Sequence, residues 1–284
     1  MTPEHLPPIA SLVRRALAED AAHKDATSRA LIPSTARAKG DFLIKQEGVI
    51  GGLPVAKEVF RQVDPDVRFT ALMRDGSSVE KGDVVAKVEG PLRSILASER
   101  VALNFMQRLS GTASLTAKFV GEAQGTKAKI LDTRKTTPGL RHLEKYAVRM
   151  GGGTNHRMDL SDGILVKDNH IAALCGKGWS LRRIVQEAHR KAKGLPVVIE
   201  VTSAAMAREA LEAGAKRLLL DNMTLAQMRA CVALAKGRAE TEASGGMTLK
   251  RVHAVAKTGV DYISVGALTH SAGAMDISLE VRVG

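Results

Sequence analysis

Aromatic residues are scarce in this 284-residue chain, at 3%, with one Trp and two Tyr. So thin a supply leaves little material for the stacking platforms on which proteins hold single-stranded nucleic acid. Cysteine is scarcer still. Cys175 and Cys231 stand far apart and outside any C-x-x-C pattern, which argues against a disulfide framework or a zinc site and predicts two buried, small apolar residues. No run reaches the ~18 apolar residues of a membrane span, and the opening MTPEHLPPIASLVRRALAED lacks a basic flank ahead of an apolar core. The expectation is a soluble, cytoplasmic protein with no membrane partner. No G-x-G-x-x-G follows a strand, TTPG is not a P-loop, and no G-x-S-x-G elbow occurs, so dinucleotide binding and nucleophilic hydrolysis lack support. His156 and His170 fit no H-x-x-x-H spacing, which points to hydrogen bonding rather than metal ligation.

What the chain does hold is positive charge, a formal net of +12. That attracts anions without naming one. At 44% hydrophobic and 25% charged, the composition is that of a globular protein with one large core or two modest domains.

Residues 6–20 space Ile9, Leu12, Val13, Ala16 and Leu17 on one face of an opening amphipathic helix. From about 36 to 90, short β-branched runs such as DFLIKQEGVIGG, VRFTALM and DVVAKVEG alternate with turn-forming RDGSS and EKGD, the texture of a small sheet domain. PLRSILASERVALNFMQRLS, residues 91–110, then reads as a connecting helix that opens on proline and closes at Gly111. Beyond residue 125, six runs alternate with helical segments: AKILDT, GILVKD, LPVVIEV, KRLLLDN, AETEAS and DYISVGA. Most are continuously apolar, as parallel strands covered on both faces should be. TLAQ at 224–227 is a capping box, and Gly194, Gly214, Gly237 and Gly259 fall where helices should end.

Polar residues gather at the C-terminal ends of these runs: Arg134 and Lys135, Lys167 and Asp168, Glu200, Asp221 and Asn222, Ser244, Gly266. A doubly wound sheet would use strand ends at one crevice. Six loaded ends favour a closed ring with one mouth, an α/β barrel left incomplete at six strands. EASGGM and SVGAL suit phosphate, because glycine lets backbone N–H groups approach an anion, though the same glycines also simply make tight turns. The cations Arg134, Lys135, Arg157 and Lys167 face Glu200 and Asp221 across the mouth. Carboxylates among cations suit a metal-bound polyphosphate or a developing positive charge, and glycosyl transfer from a pyrophosphorylated sugar supplies both. The plain alternative is that Glu200 and Asp221 pair with neighbouring cations.

TRKTTPGLR, EKYAVRMGGGTNHR, LVKDNHI, LLLDNM, EASGGM and DYISVGALTHS resemble, in order and spacing, the signature blocks of the quinolinate phosphoribosyltransferases, also called nicotinate-nucleotide pyrophosphorylases (carboxylating); the likeness runs from ALAED to DISLEV. The resemblance implies an open α/β barrel over about 111–271, with a smaller N-terminal α+β sandwich domain over 1–110 onto which residues 272–284 pack back. It implies conversion of quinolinate and 5-phosphoribosyl 1-pyrophosphate, with Mg²⁺, into nicotinate mononucleotide, pyrophosphate and CO₂ for NAD synthesis. By similarity, Arg134, His156, Arg157 and Lys167 take quinolinate, Thr133 and Lys135 the adjoining anionic groups, and the loops Ser244, Gly245, Gly246 and Val265, Gly266, Ala267 the 5-phosphate. Glu200 and Asp221 lie near the ribose and hold the metal directly or through water; with Lys135 they form the catalytic set, and no general base is nominated. Arg100 matches an arginine that enters the neighbouring subunit's site, which implies a homodimer, itself open to higher assembly; spacing alone would leave Arg100 a solvated residue.

Departures from the family pattern are Met150 before the glycines, Asp159 after HRM and Thr202 in IEVTS. Asp159 is expected to weaken anion affinity modestly. Arg141, Lys145 and Arg149, at helical spacing, are read as solvated or as steering anions inward. Two rivals remain at this stage. One is a related phosphoribosyltransferase-like protein of molybdenum transport, which departs at the block that reads VKDNH here. The other is a basic nucleic-acid binder, which carboxylates among the cations would disfavour.

Overall fold

The computed structural model describes residues 9–283, so Leu6, Pro7 and Pro8 of the expected opening helix lie outside the described residues. The chain runs through α1 (Ala10–Glu19), α2 (Ala26–Leu31), β1 (Arg37–Ile44), β2 (Gly48–Val49), α3 (Leu53–Val63), β3 (Arg68–Ala71), β4 (Ser78–Val79) and β5 (Val84–Pro91). Next come α4 (Leu92–Glu122), β6 (Lys129–Leu131), α5 (Arg141–Met150), β7 (Ile164–Val166), α6 (Asp168–Cys175), α7 (Leu181–Lys191), β8 (Val197–Val201) and α8 (Ala204–Glu212). It closes with β9 (Arg217–Asp221), α9 (Leu225–Ala235), β10 (Glu240–Ser244), α10 (Leu249–Ala256), β11 (Tyr262–Ser264), α11 (Ala267–His270) and β12 (Ile277–Val283).

Two compact units result. The first holds the described residues up to Ala117, then Pro138–Gly152 and the chain from Ala272 on; the second holds Lys118–Thr137 and Gly153–Ser271. The chain from Ala272 on groups with the first unit, which also takes in Pro138–Gly152 and α4 as far as Ala117; α4 does not close at Gly111. The helix continues because Gly111 serves packing: a Cβ there would lie 1.8 Å from the carbonyl oxygen of Gly273. Helix α5 belongs with the first unit, and Lys145 on it is fully buried rather than solvated.

The first unit is built on an antiparallel sheet of order β12-β1-β5-β3. Strand β1 alternates exposed and buried positions, sending Ala38, Gly40, Phe42 and Ile44 inward, and pairs with β12 from Ala38↔Val283 to Ile44↔Ile277. Three of the five phenylalanines are used here: Phe42, Phe60 and Phe69 pack with ring centroids 5.8–6.0 Å apart, within the core rather than on a binding surface.

The second unit is the open α/β barrel. Six parallel strands run in the order β6-β11-β10-β9-β8-β7. Neighbours in space are neighbours in sequence except that β6, the first of the six, pairs with β11, the last; β6 and β7 do not pair, and there the ring stays open. Outer helices bury stripes at i, i+3 and i+4, such as Leu181, Ile184 and Val185 on α7. Thr224 and Gln227 form the capping box expected of α9, and Gly194, Gly214, Gly237 and Gly259 all take positive φ just past helices. Cys231 is buried, but Cys175, the last residue of α6, is exposed, contrary to expectation, because α6 has no buried residue.

Candidate active site

Register sets the acids. Glu200 on β8 is level with Leu219 on β9, and Asp221 follows Leu219 by two residues, so both carboxylates share one face, a pleat apart. Ser244 on β10 pairs directly with Asp221. Asp221 accepts 2.8 Å from the Asn222 amide, and Glu200 accepts 3.2 Å from the Asp168 N–H. Neither carboxylate forms an ion pair among the described residues, so the plain salt-bridge alternative does not hold. Burial raises the Glu200 pKa, and repulsion from Asp221 and Asp168 adds to it, outweighing the Asp168 hydrogen bond and the attraction of Lys167.

The cations come from both sides of the open step. Arg134 and Lys135 follow β6; Thr133 Oγ1 accepts from the Lys135 N–H at 3.0 Å and shapes that turn. Returning from α5, the chain lies along β6 through a Leu131↔Thr154 bridge, then carries His156 and Arg157. Arg157 Nη1 donates to the Gly163 carbonyl at 2.9 Å, just ahead of β7. Burial lowers the Arg157 pKa, and the charge of Arg134 lowers it further against Asp162. Asp159, the suspected weakener, instead accepts from Ser161 N–H and Oγ at 2.8 and 2.6 Å. Lys167, at the end of β7, is exposed.

Among the loops expected to cradle phosphate, Gly245 and Gly246 have φ of +90° and +57°, and a Cβ on Gly245 would lie 2.1 Å from Asn222 Oδ1. Val265 is fully buried and its N–H donates to Leu131 O at 2.9 Å, leaving the backbone of Gly266 and Ala267 as that loop's contribution. Lys135 and His270 flank Gly266: a Cβ there would be 3.1 Å from both Lys135 Cδ and His270 Nε2. Arg100 is exposed on α4, in the first unit.

Sequence reasoning missed the buried supports. Glu242, on β10 and fully buried, binds Arg217 Nη2 at 2.7 Å and His156 Nε2 at 3.3 Å and accepts from Ser264 Oγ. His156 Nδ1 accepts 2.8 Å from the Arg157 N–H, which leaves the ring proton on Nε2, toward Glu242. Asp132, also fully buried, accepts from the His156 N–H at 2.8 Å and the Asn155 amide at 2.5 Å. His170 Nδ1 accepts from the Lys167 N–H at 3.0 Å, so both histidines are hydrogen-bonding residues. The signal for the two acids was a carboxylate beside apolar or small residues, Asp132 just after Ile130 and Leu131 and Glu242 between Thr241 and Ala243; His270 carried none beyond its place after SVGAL.

Comparison with known proteins gives a consistent answer. Residues 112–280 match the family described as quinolinate phosphoribosyl transferase, C-terminal domain, and residues 25–110 the corresponding N-terminal domain. The chain is 43% identical over 267 residues to a probable nicotinate-nucleotide pyrophosphorylase [carboxylating] of Bacillus subtilis, covering 93% of this chain and 90% of that one. It is 42% identical over 286 residues to quinolinate phosphoribosyltransferase [decarboxylating] 2a, mitochondrial, of Nicotiana tabacum, covering 95% and 81%. The crystal structure of NadC from Streptococcus pyogenes superposes with a TM-score of 0.93 at 41% identity over 99% of each chain.

Proposed function

Since the chain belongs to the quinolinate phosphoribosyltransferase family, a group of decarboxylating pentosyltransferases, we propose that its open-barrel mouth joins quinolinate to 5-phosphoribosyl 1-pyrophosphate, releasing pyrophosphate and CO₂ and leaving nicotinate mononucleotide. The observation that carries the reading is the gathering of cations on both sides of the open step: Arg134 and Lys135 follow β6, while Arg157, tied to the Gly163 carbonyl ahead of β7, and Lys167 lie on the other side. Two adjacent carboxylates on a pyridine ring are the anion such a gathering suits, since planar guanidiniums bind carboxylates through paired hydrogen bonds. Lys167 and Lys135 add point charges at neighbouring strand ends. His156 works from behind, its ring fixed by Glu242 and its backbone by Asp132.

The loops Ser244–Gly246 and Gly266–Ala267, with Lys135 and His270 beside the second, suit the donor's 5-phosphate. Glu200 and Asp221 suit the ribose, whose anomeric carbon becomes positive as pyrophosphate departs. Holding quinolinate in line with that carbon lets the ring nitrogen attack without a protein nucleophile. The positive charge on the nitrogen stabilises the electron pair left on the ring carbon when the neighbouring carboxylate leaves as CO₂, and that pair then takes a proton.

Among the described residues no group of three or more His, Cys, Asp and Glu side chains gathers as a metal cage. Glu200 and Asp221, two carboxylates on one face at neighbouring strand ends and in no ion pair among the described residues, do fit Mg²⁺ that arrives with the donor, because this ion is held by one or two carboxylates together with phosphate oxygens and water. Bound there, it would neutralise charge on the departing pyrophosphate. Arg100, exposed on its helix, is assigned to the site of a second copy in a homodimer. No described helix is long and apolar enough to cross a membrane.

A product assay tests the reading. Purified protein with Mg²⁺, the donor and quinolinate should give nicotinate mononucleotide and CO₂, and nicotinate in place of quinolinate should not. Product from neither acid, or from nicotinate alone, would refute it.

A further inference from the structure

Arg251 lies on α10, outside every set of residues assigned to the site so far. Its Nη1 donates to the Gly245 carbonyl at 3.0 Å and to that of Gly246 at 3.5 Å, while Nη2 donates to the Met223 carbonyl at 2.8 Å. One planar guanidinium therefore clasps two mouth loops, the one after β10 and the one after β9. Each loop contains left-handed backbone: Asn222 at φ 52°, Gly245 at 90° and Gly246 at 57°. Peptides beside such residues have more than one accessible orientation, and a flip would turn a carbonyl oxygen toward an anion where an N–H is needed. A carbonyl held by a guanidinium cannot make that turn.

The clasp extends to the acids. Met223 follows Asn222, whose N–H donates to Ser244 O at 3.0 Å and whose amide holds Asp221. The Gly245 backbone packs so closely on Asn222 that no Cβ fits between them. Fixing the Met223 and Gly245 carbonyls thus fixes the phosphate loop and the Asp221 loop relative to one another. Lysine could not substitute, because its compact ammonium lacks the fork that reaches carbonyls of two loops at once.

We propose that Arg251 is a positioning residue for the donor's 5-phosphate, setting the orientation of the Gly245–Gly246 peptides and their distance from Asp221. The proposal rests on the assignment of this loop to that phosphate. It predicts that Arg251→Met raises the KM for 5-phosphoribosyl 1-pyrophosphate about tenfold, the loss expected for hydrogen bonds from a charged donor. The inhibition constant of ribose 5-phosphate should rise by the same factor, with the quinolinate KM unchanged. Arg251→Lys should recover only part of the loss. An unchanged donor KM in either variant, or an equal rise in both substrates' KM, overturns the proposal; should Arg251→Met not fold, the lysine variant decides alone. Failure of the underlying assignment appears separately, in the wild-type protein, as ribose 5-phosphate that does not compete with the donor.

Discussion

Removing the carboxylate of Glu242 should destabilise the barrel unit far more than an average substitution. The side chain is fully buried and binds Arg217 at 2.7 Å, His156 at 3.3 Å and the Ser264 hydroxyl. In Glu242→Ala the Arg217 guanidinium and the Ser264 hydroxyl lose that partner. Breaking a buried pair from one side costs about 3–5 kcal/mol, which lowers the melting midpoint by roughly 10 °C for a unit of this size. Glu242→Gln keeps the shape and loses the charge, so its cost should be smaller and pH-dependent. Burial pushes the Glu242 pKa up, but the hydrogen bond and attraction of His156, the charge of Arg217 and the Ser264 hydroxyl outweigh burial and leave it below 4.5, its ordinary value. A depressed folded pKa adds stability that is present above the unfolded value and lost as pH falls through the folded one. The gap between wild type and Glu242→Gln should therefore be full at pH 7 and shrink below about pH 4.5. Trp179, the single tryptophan, lies in this unit under Arg183, 4.1 Å from its ring centre, so its fluorescence during denaturant unfolding reports the barrel. A loss under about 1 kcal/mol in Glu242→Ala, or a gap that holds constant into acid, would show that the network contributes no stabilising charge.

In the first unit, Asp75 accepts from the N–H groups of Gly52 and Leu53 and from Tyr146 Oη, yet burial raises its pKa. The sign is opposite to that of Glu242: this carboxyl favours folding at low pH and loses that contribution as pH rises through its elevated folded value. Calorimetry should thus find wild type losing ground to Asp75→Asn as pH rises above 3.8, the ordinary value, and parallel curves would refute it. Gly245→Ala puts a methyl group within 2.1 Å of Asn222 Oδ1 at a φ of +90°; the left-handed strain of roughly 1–2 kcal/mol plus the clash should raise the donor KM, leaving the quinolinate KM as the internal control. Arg100→Ala and Lys135→Ala should each be nearly inactive, and mixing them under subunit exchange should regenerate some activity; confirmed heterodimers without recovery would rule out a shared site.

The barrel was legible because each of its six strands is a short run ended by a helix signal, and because the polar residues fall at one end of every run. LLLDN and EASGG read correctly as loaded strand ends, since register then follows from alternation. Gly111 misled for a physical reason: glycine ends helices and also lets backbones touch, and only the Gly273 carbonyl against it distinguishes the two. Lys145 misled likewise, since helical spacing marks a face of α5 but not whether solvent covers it. The cations at the strand ends stand out in sequence, whereas Glu242, Asp132 and Arg251 act through partners more than twenty residues away, His156, Asn155 and Met223 among them. A carboxylate inside a strand hints at such a role; an arginine on an outer helix gives no hint.

The stretch from Leu131 to Arg157 shows why these hidden residues matter. Arg134 and Arg157 both belong to the second unit, but the chain between them departs to form α5 in the first unit and returns at Gly153. The turns TTPG and GGG allow that excursion without fixing where it ends. What fixes the return is the edge of β6: Thr154 donates to Ile130 O at 2.8 Å and accepts from the Asp132 N–H at 3.2 Å, and the Asp132 carboxylate takes Asn155 and His156. Glu242 then anchors the His156 ring from β10. An open barrel lacks the strand pairing that would otherwise align the two sides of its gap. Here buried carboxylates supply the alignment, and Arg134 and Arg157 are held on the two sides of the gap by a scaffold whose own charges are fully buried.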